Sequence, residues 1–177
     1  DEIFSFNSVG IYQLGEPIPA SSSIVRTVIR YYHNDNHPPL YFVLLGIWMN
    51  FFGSGVLAAR SLSVVINLAT IPPLYALAHR LFGKKEIALL TSLLFTCSAY
   101  LVYYSQEVRM YSLVLLLSLL SMLFFITAEE EGGWRRYLGF VLVSVLGLYT
   151  HYYFAFLLGA QVFYWILWGR TRLRTFF

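Results

Sequence analysis

Long apolar stretches, separated by short polar breaks, follow a polar and irregular segment at the start of the chain. The opening segment is rich in Gly, Pro and Ser and predicts a loop over residues 1–37. Most of the apolar stretches are long enough to cross a hydrocarbon core of about 30 Å as a helix. The last one is too long for a single helix, and we divide it at the polar pair Thr150-His151. The predicted transmembrane helices are 56–82, 87–104, 108–128, 137–149 and 152–168.

The first apolar stretch, residues 38–52, is shorter than the others. As a helix it would extend about 22 Å, which does not cross the hydrocarbon core. Small and polar residues at Gly46, Asn50 and Gly53 give it a less apolar stripe, typical of a helix that lies in the membrane interface. The pattern therefore predicts a single, all-α membrane domain: a polytopic helical bundle of about five transmembrane helices and one short interfacial helix.

The composition agrees with a surface that faces lipid. Only 12% of the residues are charged and 58% are hydrophobic, whereas soluble domains carry about 25% charged residues. The chain opens at Asp1-Glu2 with neither an initiator Met nor a signal peptide. We therefore expect further sequence before Asp1, so that the chain is a fragment of a larger fold.

The basic residues occur in short blocks between the apolar stretches, which is a topology signal and not a nucleic-acid-binding surface. With five spans, three of these blocks fall on one side, which we assign to the cytoplasm. The loop 1–37 and the polar residues 105–107 and 150–151 then lie on the opposite side. The three blocks are Arg80, Lys84 and Lys85; Arg135 and Arg136; and Arg170, Arg172 and Arg174.

Ionisable residues concentrate at helix ends on this non-cytoplasmic side, where such groups are costly and often functional. Simpler structural roles are also open to them. Ser105 could cap a helix that begins near Gln106, with Glu107 in its first turn. Arg109 could snorkel toward lipid headgroups, and the tyrosines could form an interfacial belt. The polar clusters are Asp1-Glu2, His37-Pro38-Pro39-Leu40, 105–111 and Thr150-His151-Tyr152.

The order and spacing of these clusters resemble those of the GT-C glycosyltransferases, and the resemblance covers nearly the whole chain. The most similar branch is the bacterial one related to protein O-mannosyltransferases and to the lipid A aminoarabinose transferase. The resemblance implies transfer of a sugar from a polyprenyl-phosphate donor to a hydroxyl of a lipid, glycan or protein acceptor, with inversion. It also implies a multi-pass protein of the inner membrane with its site on the non-cytoplasmic face.

The resemblance further implies roles for individual residues. Asp1 corresponds to the family's catalytic aspartate and Glu107 to a second acid in the next outer loop. Positive side chains can stabilise the charge that grows on the leaving lipid phosphate. His37 and His151 depart from the aminoarabinose branch, which has Lys and a Lys-Gly-Pro-like turn at these places. The candidate substrate-binding residues are Glu2, His37, Arg109, Tyr111 and His151.

A divalent cation is an alternative role for the acidic pair. Asp1 and Glu107 could supply oxygen ligands to such an ion, although two carboxylates alone form an incomplete coordination shell. The cofactor prediction therefore stays open between no cofactor and one divalent cation.

Two other classes of protein compete with the glycosyltransferase. One is a transporter or channel subunit with an outer acidic vestibule, and the other is a structural anchor. A transporter commonly carries ionisable groups near the membrane midplane, but the predicted spans hold Asn67 and the Pro72-Pro73 pair and no mid-span Asp, Glu, Lys or Arg. An anchor would not need a long acidic outer loop followed by a His-Pro-Pro motif. The pattern therefore favours chemistry at the membrane interface.

Overall fold

The computed structural model describes residues 12–13, 16–17, 38–53 and 55–169 of the chain, with side chains over 38–53 and 55–167. Strands β1 (Tyr12–Gln13) and β2 (Glu16–Pro17) pair antiparallel, with Tyr12 opposite Pro17. All other elements described are helical, which confirms the all-α class. They are α1 (Leu40–Phe52), α2 (Val56–Ala69), α3 (Ile71–Phe82), α4 (Lys85–Thr96), α5 (Ala99–Ser105), α6 (Tyr111–Glu131), α7 (Trp134–Leu148), α8 (Phe154–Tyr164) and a π-helical turn, Trp165–Gly169.

Two described helices are long and apolar enough to cross a membrane: the continuous run Val56–Phe82, formed by α2 and α3, and α6. Helices α4 and α5 would make a third if they form one span, bent by 59°. The other apolar helices, α1 and Phe154–Leu167, are shorter. The count of five crossings and the interfacial position of α1 stay predictions.

The junction of α2 and α3 reflects the Pro72-Pro73 pair, which stands in the first turn of α3. Proline has no backbone N–H, so the carbonyls one turn earlier lose their helical donors. Thr70, between the two helices, donates its hydroxyl to the Asn67 carbonyl. The helical ladder resumes where the Leu74 N–H donates to the Thr70 carbonyl at 3.0 Å.

A hydrogen bond between helices accompanies the bend from α4 to α5. The predicted span 87–104 holds neither Pro nor Gly, yet it breaks at Cys97-Ser98. Beyond the break, the Asn67 side-chain amide donates to the Leu101 carbonyl at 3.2 Å. This bond attaches α5 to α2 and gives the Asn67 amide a partner in the middle of the predicted span 56–82.

The helices pack around one hydrophobic core that α1 shares with its neighbours. The Tyr41 hydroxyl is hydrogen-bonded to Ser63 Oγ at 3.0 Å, and both side chains are fully buried. Trp48 Nε1 donates to the Ala58 carbonyl at 3.0 Å. The buried residues of this core are Tyr41, Phe42, Leu45, Met49, Ala59, Leu62, Ile66, Val108, Met110, Leu113, Leu117, Val143 and Phe154.

An ion-pair cluster joins the far ends of α3 and α6 to the start of α7. Arg80 Nε donates to Glu130 Oε2 at 2.6 Å and a second guanidinium nitrogen pairs with Glu131. Glu131 also pairs with Arg136. Two of the basic blocks that the sequence places on one side therefore meet at one end of the bundle, which we call the basic end.

Candidate functional site

The loop 106–110, between α5 and α6, is held by two apolar anchors. Val108 and Met110 are fully buried in the core, at 0% and 1% exposure. Glu107 and Arg109 alternate with them and are half-buried. The segment is a series of bends and turns between the two helices. The anchors therefore fix the loop against the core, and Glu107 and Arg109 are less deeply buried than Val108 and Met110, although Arg109 Nε is itself shielded from solvent.

This loop corrects one of the structural roles considered for Ser105. Ser105 does not cap a helix that begins near Gln106, because it ends α5 and donates its hydroxyl to the Val102 carbonyl at 2.7 Å. Helix α6 begins only at Tyr111. Glu107 consequently lies in the loop and not in the first turn of a helix.

The polar break between α7 and α8 is a tight turn closed by its own backbone. The N–H groups of Thr150 and His151 both donate to the Gly147 carbonyl, at 3.0 and 2.9 Å. His151 Nδ1 accepts a hydrogen bond from the Tyr153 N–H at 3.1 Å. This nitrogen is therefore unprotonated in the arrangement, and Nε2 carries the ring proton. His151 thus helps to start α8, which agrees with the helix-break role considered for it.

The same turn depends on a glycine. Phe154, only 2% exposed, packs its ring directly over Gly147. A Cβ atom built at position 147 would overlap that ring. The close approach of α7 and α8 at this end of the bundle therefore requires Gly147.

The Pro38-Pro39 motif is attached to this turn. Neither proline has a backbone N–H, so Leu40 carries the first donor after the pair. That N–H donates to the Tyr149 carbonyl at 3.0 Å. Because Tyr41 and Phe42 share the core with Val108, Met110 and Phe154, the start of α1, the loop 106–110 and the turn 149–153 meet in one place, which we call the polar end.

The polar end unites some of the predicted site residues and leaves others untested. Glu107, Arg109 and His151 lie on segments that meet there. Tyr111 is the first residue of α6, beside the same loop. Asp1, Glu2 and His37 fall outside the described residues. Sequence reasoning missed the anchors Val108 and Met110, although their alternation with Glu107 and Arg109 was a signal.

Tyrosines beside the loop form a contact cluster. The ring centroid of Tyr104 lies 4.5 Å from that of Tyr100, 5.3 Å from Tyr103 and 5.1 Å from Tyr111. Glu107 lies within electrostatic range of the Tyr104 hydroxyl. Next to this cluster is a cavity of about 280 Å³ between α2, α5 and α6. Its lining residues are Asn67, Tyr100, Leu101, Tyr104, Tyr111, Ser112 and Leu115.

Metal ligands are sparse in the part of the chain that the structure describes. There, no three residues among His, Cys, Asp and Glu group closely enough to hold an ion. The predicted cation site paired Glu107 with Asp1, which lies outside the described residues. The cation therefore stays a hypothesis.

The apolar helices indicate a membrane protein, and polar residues from distant segments meet at one end of its described helices. The family model described as dolichyl-phosphate-mannose-protein mannosyltransferase matches residues 36–177. The chain therefore belongs to this family of GT-C glycosyltransferases, and the resemblance drawn from its motifs is confirmed. The matched range includes every segment of the polar end but not Asp1 and Glu2. No curated protein and no solved structure matches the chain significantly.

Proposed function

We propose that this chain is the part of an inner-membrane glycosyltransferase that transfers a sugar from a polyprenyl-phosphate donor to an acceptor hydroxyl. The observation that carries the proposal is the junction at the polar end. There the Leu40 N–H bonds to the Tyr149 carbonyl, over a core that also anchors the Glu107–Arg109 loop. This junction brings acidic and basic groups from distant segments to one end of the bundle. In a membrane glycosyltransferase, groups that meet in this way can act on one substrate.

The proposed reaction is a single displacement at the anomeric carbon. Asp1 accepts the proton of the acceptor hydroxyl as its oxygen forms the new glycosidic bond. The bond from the anomeric carbon to the phosphate oxygen breaks at the same time, and the electron pair leaves with the lipid phosphate. Attack opposite the leaving group inverts the configuration. Glu107 is proposed as the second acid, which orients the acceptor.

The leaving phosphate needs positive charge and hydrogen-bond donors. Arg109 can offer two parallel N–H groups to phosphate oxygens, a geometry that lysine lacks. Nε2–H of His151 is a further donor from the neighbouring turn, and His37 is assigned the same role next to Pro38. Glu2 and Tyr111 are assigned to binding the sugar or the acceptor.

The position of the site suits a lipid-linked donor. Its polyprenyl tail can stay in the bilayer while its phosphate and sugar reach the helix ends. The ion pairs of Arg80 and Arg136 mark the basic end, and basic residues favour the cytoplasmic side. The polar end, being opposite, is therefore proposed to lie on the non-cytoplasmic face. The proposed reaction admits a hexose or a pentose as the sugar, and a lipid, a glycan or a protein as the acceptor.

A transporter or channel subunit is the competing proposal, and the distribution of charge weighs against it. Within the described helices, the Asp, Glu, Lys and Arg side chains lie near the ends of the helical runs. Proton or ion pathways commonly carry such groups near the midplane.

The proposal is tested with the full-length parent protein in membranes, supplied with a panel of polyprenyl-phosphate sugars. Glu107→Gln and Asp1→Asn are each expected to abolish transfer while membrane insertion is unchanged. Glu86→Gln, an exposed glutamate in the first turn of α4, is the matched control and should retain transfer. If the well-inserted parent transfers no sugar from any donor, the glycosyltransferase proposal is overturned. If only Asp1→Asn retains transfer, Asp1 loses its catalytic role.

A further inference from the structure

Asn67 is a polar residue near the middle of the apolar helical run Val56–Phe82. Polar side chains at such positions in a membrane helix are costly and often serve a function. The Asn67 side-chain amide donates to the Leu101 carbonyl at 3.2 Å, 34 residues away in the chain. The amide therefore fixes α5 relative to α2.

Helix α5 depends on such contacts for its position. It has only seven residues, and helices this short are marginal by themselves. The break at Cys97-Ser98 separates it from α4, and the two helices meet at an angle of 59°. The direction of α5 is therefore set by its contacts with other helices and not by continuation of α4.

The position of α5 in turn determines where the loop 106–110 begins. The N–H groups of Gln106 and Glu107 donate to the carbonyls of Tyr103 and Tyr104, at 3.1 and 3.4 Å. The backbone of Glu107 therefore follows the last turn of α5.

At this end, α5 has a second attachment, because the Tyr104 ring packs edge-to-face on Tyr111 of α6 with 5.1 Å between the centroids. Leu101 precedes Tyr104 by three residues, so the two attachments of α5 are about one turn apart. Together they fix the tilt of the helix.

We propose that Asn67 is a positioning residue for the proposed reaction, because its hydrogen bond to α5 holds Glu107 in place at the polar end. Without this bond, α5 would pivot about the contact between Tyr104 and Tyr111, and the Glu107 carboxylate would be displaced. A misplacement of about 1 Å can reduce a reaction rate about 100-fold. The effect on catalysis rests on the proposed function of Glu107, whereas the effect on its position does not.

Asn67→Leu removes the amide and nearly conserves the side-chain volume. Gln161→Leu is its matched control, because Gln161 Nε2 also donates to another helix, from α8 to Ser121 Oγ of α6 at 3.1 Å. Each substitution removes one interhelical hydrogen bond, and such bonds stabilise membrane proteins only modestly. In the full-length parent, Asn67→Leu should lower kcat about ten- to hundredfold, and Gln161→Leu should leave kcat unchanged. An equal loss of kcat in the two variants would overturn the positioning role.

A labelling measurement tests the position of Glu107 without turnover. The single cysteine of the chain, Cys97, and any other cysteine of the parent are replaced by serine, and Glu107→Cys is then labelled with a polar maleimide in the purified protein. Adding Asn67→Leu should change the labelling rate of Glu107→Cys several-fold, and adding Gln161→Leu should not.

The two measurements separate the inference from the proposed function. If the parent transfers no sugar and Asn67→Leu still changes the labelling rate, the proposed function is refuted and the attachment of α5 by Asn67 stands. An unchanged labelling rate with Asn67→Leu would overturn the inference, whether or not the parent is active.

Discussion

The backbone N–H of Leu40 donates a 3.0 Å hydrogen bond to the carbonyl oxygen of Tyr149. It joins the first donor after the Pro38-Pro39 pair to Tyr149, the residue that directly follows α7. Both groups are at helix ends, where backbone donors and acceptors lack intrahelical partners. One bond therefore satisfies two such groups and holds two motifs of the proposed site together. The geometry of the polar end depends on the turn that presents Tyr149.

Gly147→Ala tests that turn. The added methyl group would overlap the Phe154 ring, so α7 and α8 would have to separate. We expect a loss of about 1–3 kcal/mol in stability, as for other overpacked sites, together with a marked fall in transfer. Gly159→Ala is the control, because a Cβ atom there meets nothing within 4 Å and alanine favours a helix. Thermal melting and transfer assays on both variants check this prediction, and equal behaviour of the two would contradict it.

Lowering the pH is expected to weaken the ion pairs of Glu131 at the basic end. The Arg80 guanidinium, through its hydrogen bond, and then Arg136 lower the pKa of Glu131 below its ordinary value of 4.5. A carboxylate whose pKa is lower in the folded state stabilises the fold above its unfolded pKa. That contribution is lost as the pH falls through the folded pKa. Tm should therefore drop below about pH 4.5, by a small amount because the pairs are exposed.

Glu131→Gln should lower Tm at neutral pH and reduce the acid-dependent part of the drop. Glu86→Gln replaces an exposed glutamate in the first turn of α4 and provides the comparison. Melting curves between pH 7 and pH 3 measure both variants. A Glu131→Gln protein with the same pH profile as the parent would show that these ion pairs add nothing to stability.

Hydropathy gives the bounds of a long helix correctly where every residue of the apolar stretch is helical. Stretch 56–82 matches the helical run Val56–Phe82, because its few polar residues are satisfied within the bundle. Hydropathy misplaced the start of α6, which was predicted at residue 108 and lies at Tyr111. Val108 and Met110 are apolar for a different reason, since they anchor a loop in the core. An apolar sequence pattern alone cannot distinguish a residue of an apolar helix from a residue that anchors a loop in the core.

Contacts between distant segments could not be predicted from the sequence. Topology placed the Pro38-Pro39 motif and Thr150-His151 on one side, but the Leu40–Tyr149 bond joins backbone atoms, which residue type does not reveal. The bend at Cys97-Ser98 could not be predicted, because no Pro or Gly is present there. The bond from Asn67 to the Leu101 carbonyl that accompanies it is a tertiary contact.

Met110→Ala tests whether the loop anchors position the proposed site. Removing most of a fully buried side chain should cost about 2–5 kcal/mol and lower kcat, because Glu107 and Arg109 lose their fixed support. Met110→Leu nearly conserves the volume and should restore transfer. Transfer kinetics and Tm are measured for both variants. Full activity in a destabilised Met110→Ala protein would show that the anchor supports the fold and not the geometry of the site.

Arg109→Lys tests the proposed contact with the donor phosphate. The substitution keeps the positive charge and removes the planar pair of N–H donors, so a bidentate phosphate contact becomes a single-point one. We expect the KM for the polyprenyl-phosphate sugar to rise about tenfold, equivalent to about 1.4 kcal/mol, while the KM for the acceptor is unchanged. Arg135→Lys is the matched control, because Arg135 is exposed in the first turn of α7, far from the polar end. Steady-state kinetics with each substrate varied in turn distinguish the possibilities. Equal donor KM values for Arg109→Lys and the parent would remove the guanidinium from donor recognition and leave His37 and His151 as the candidate phosphate ligands.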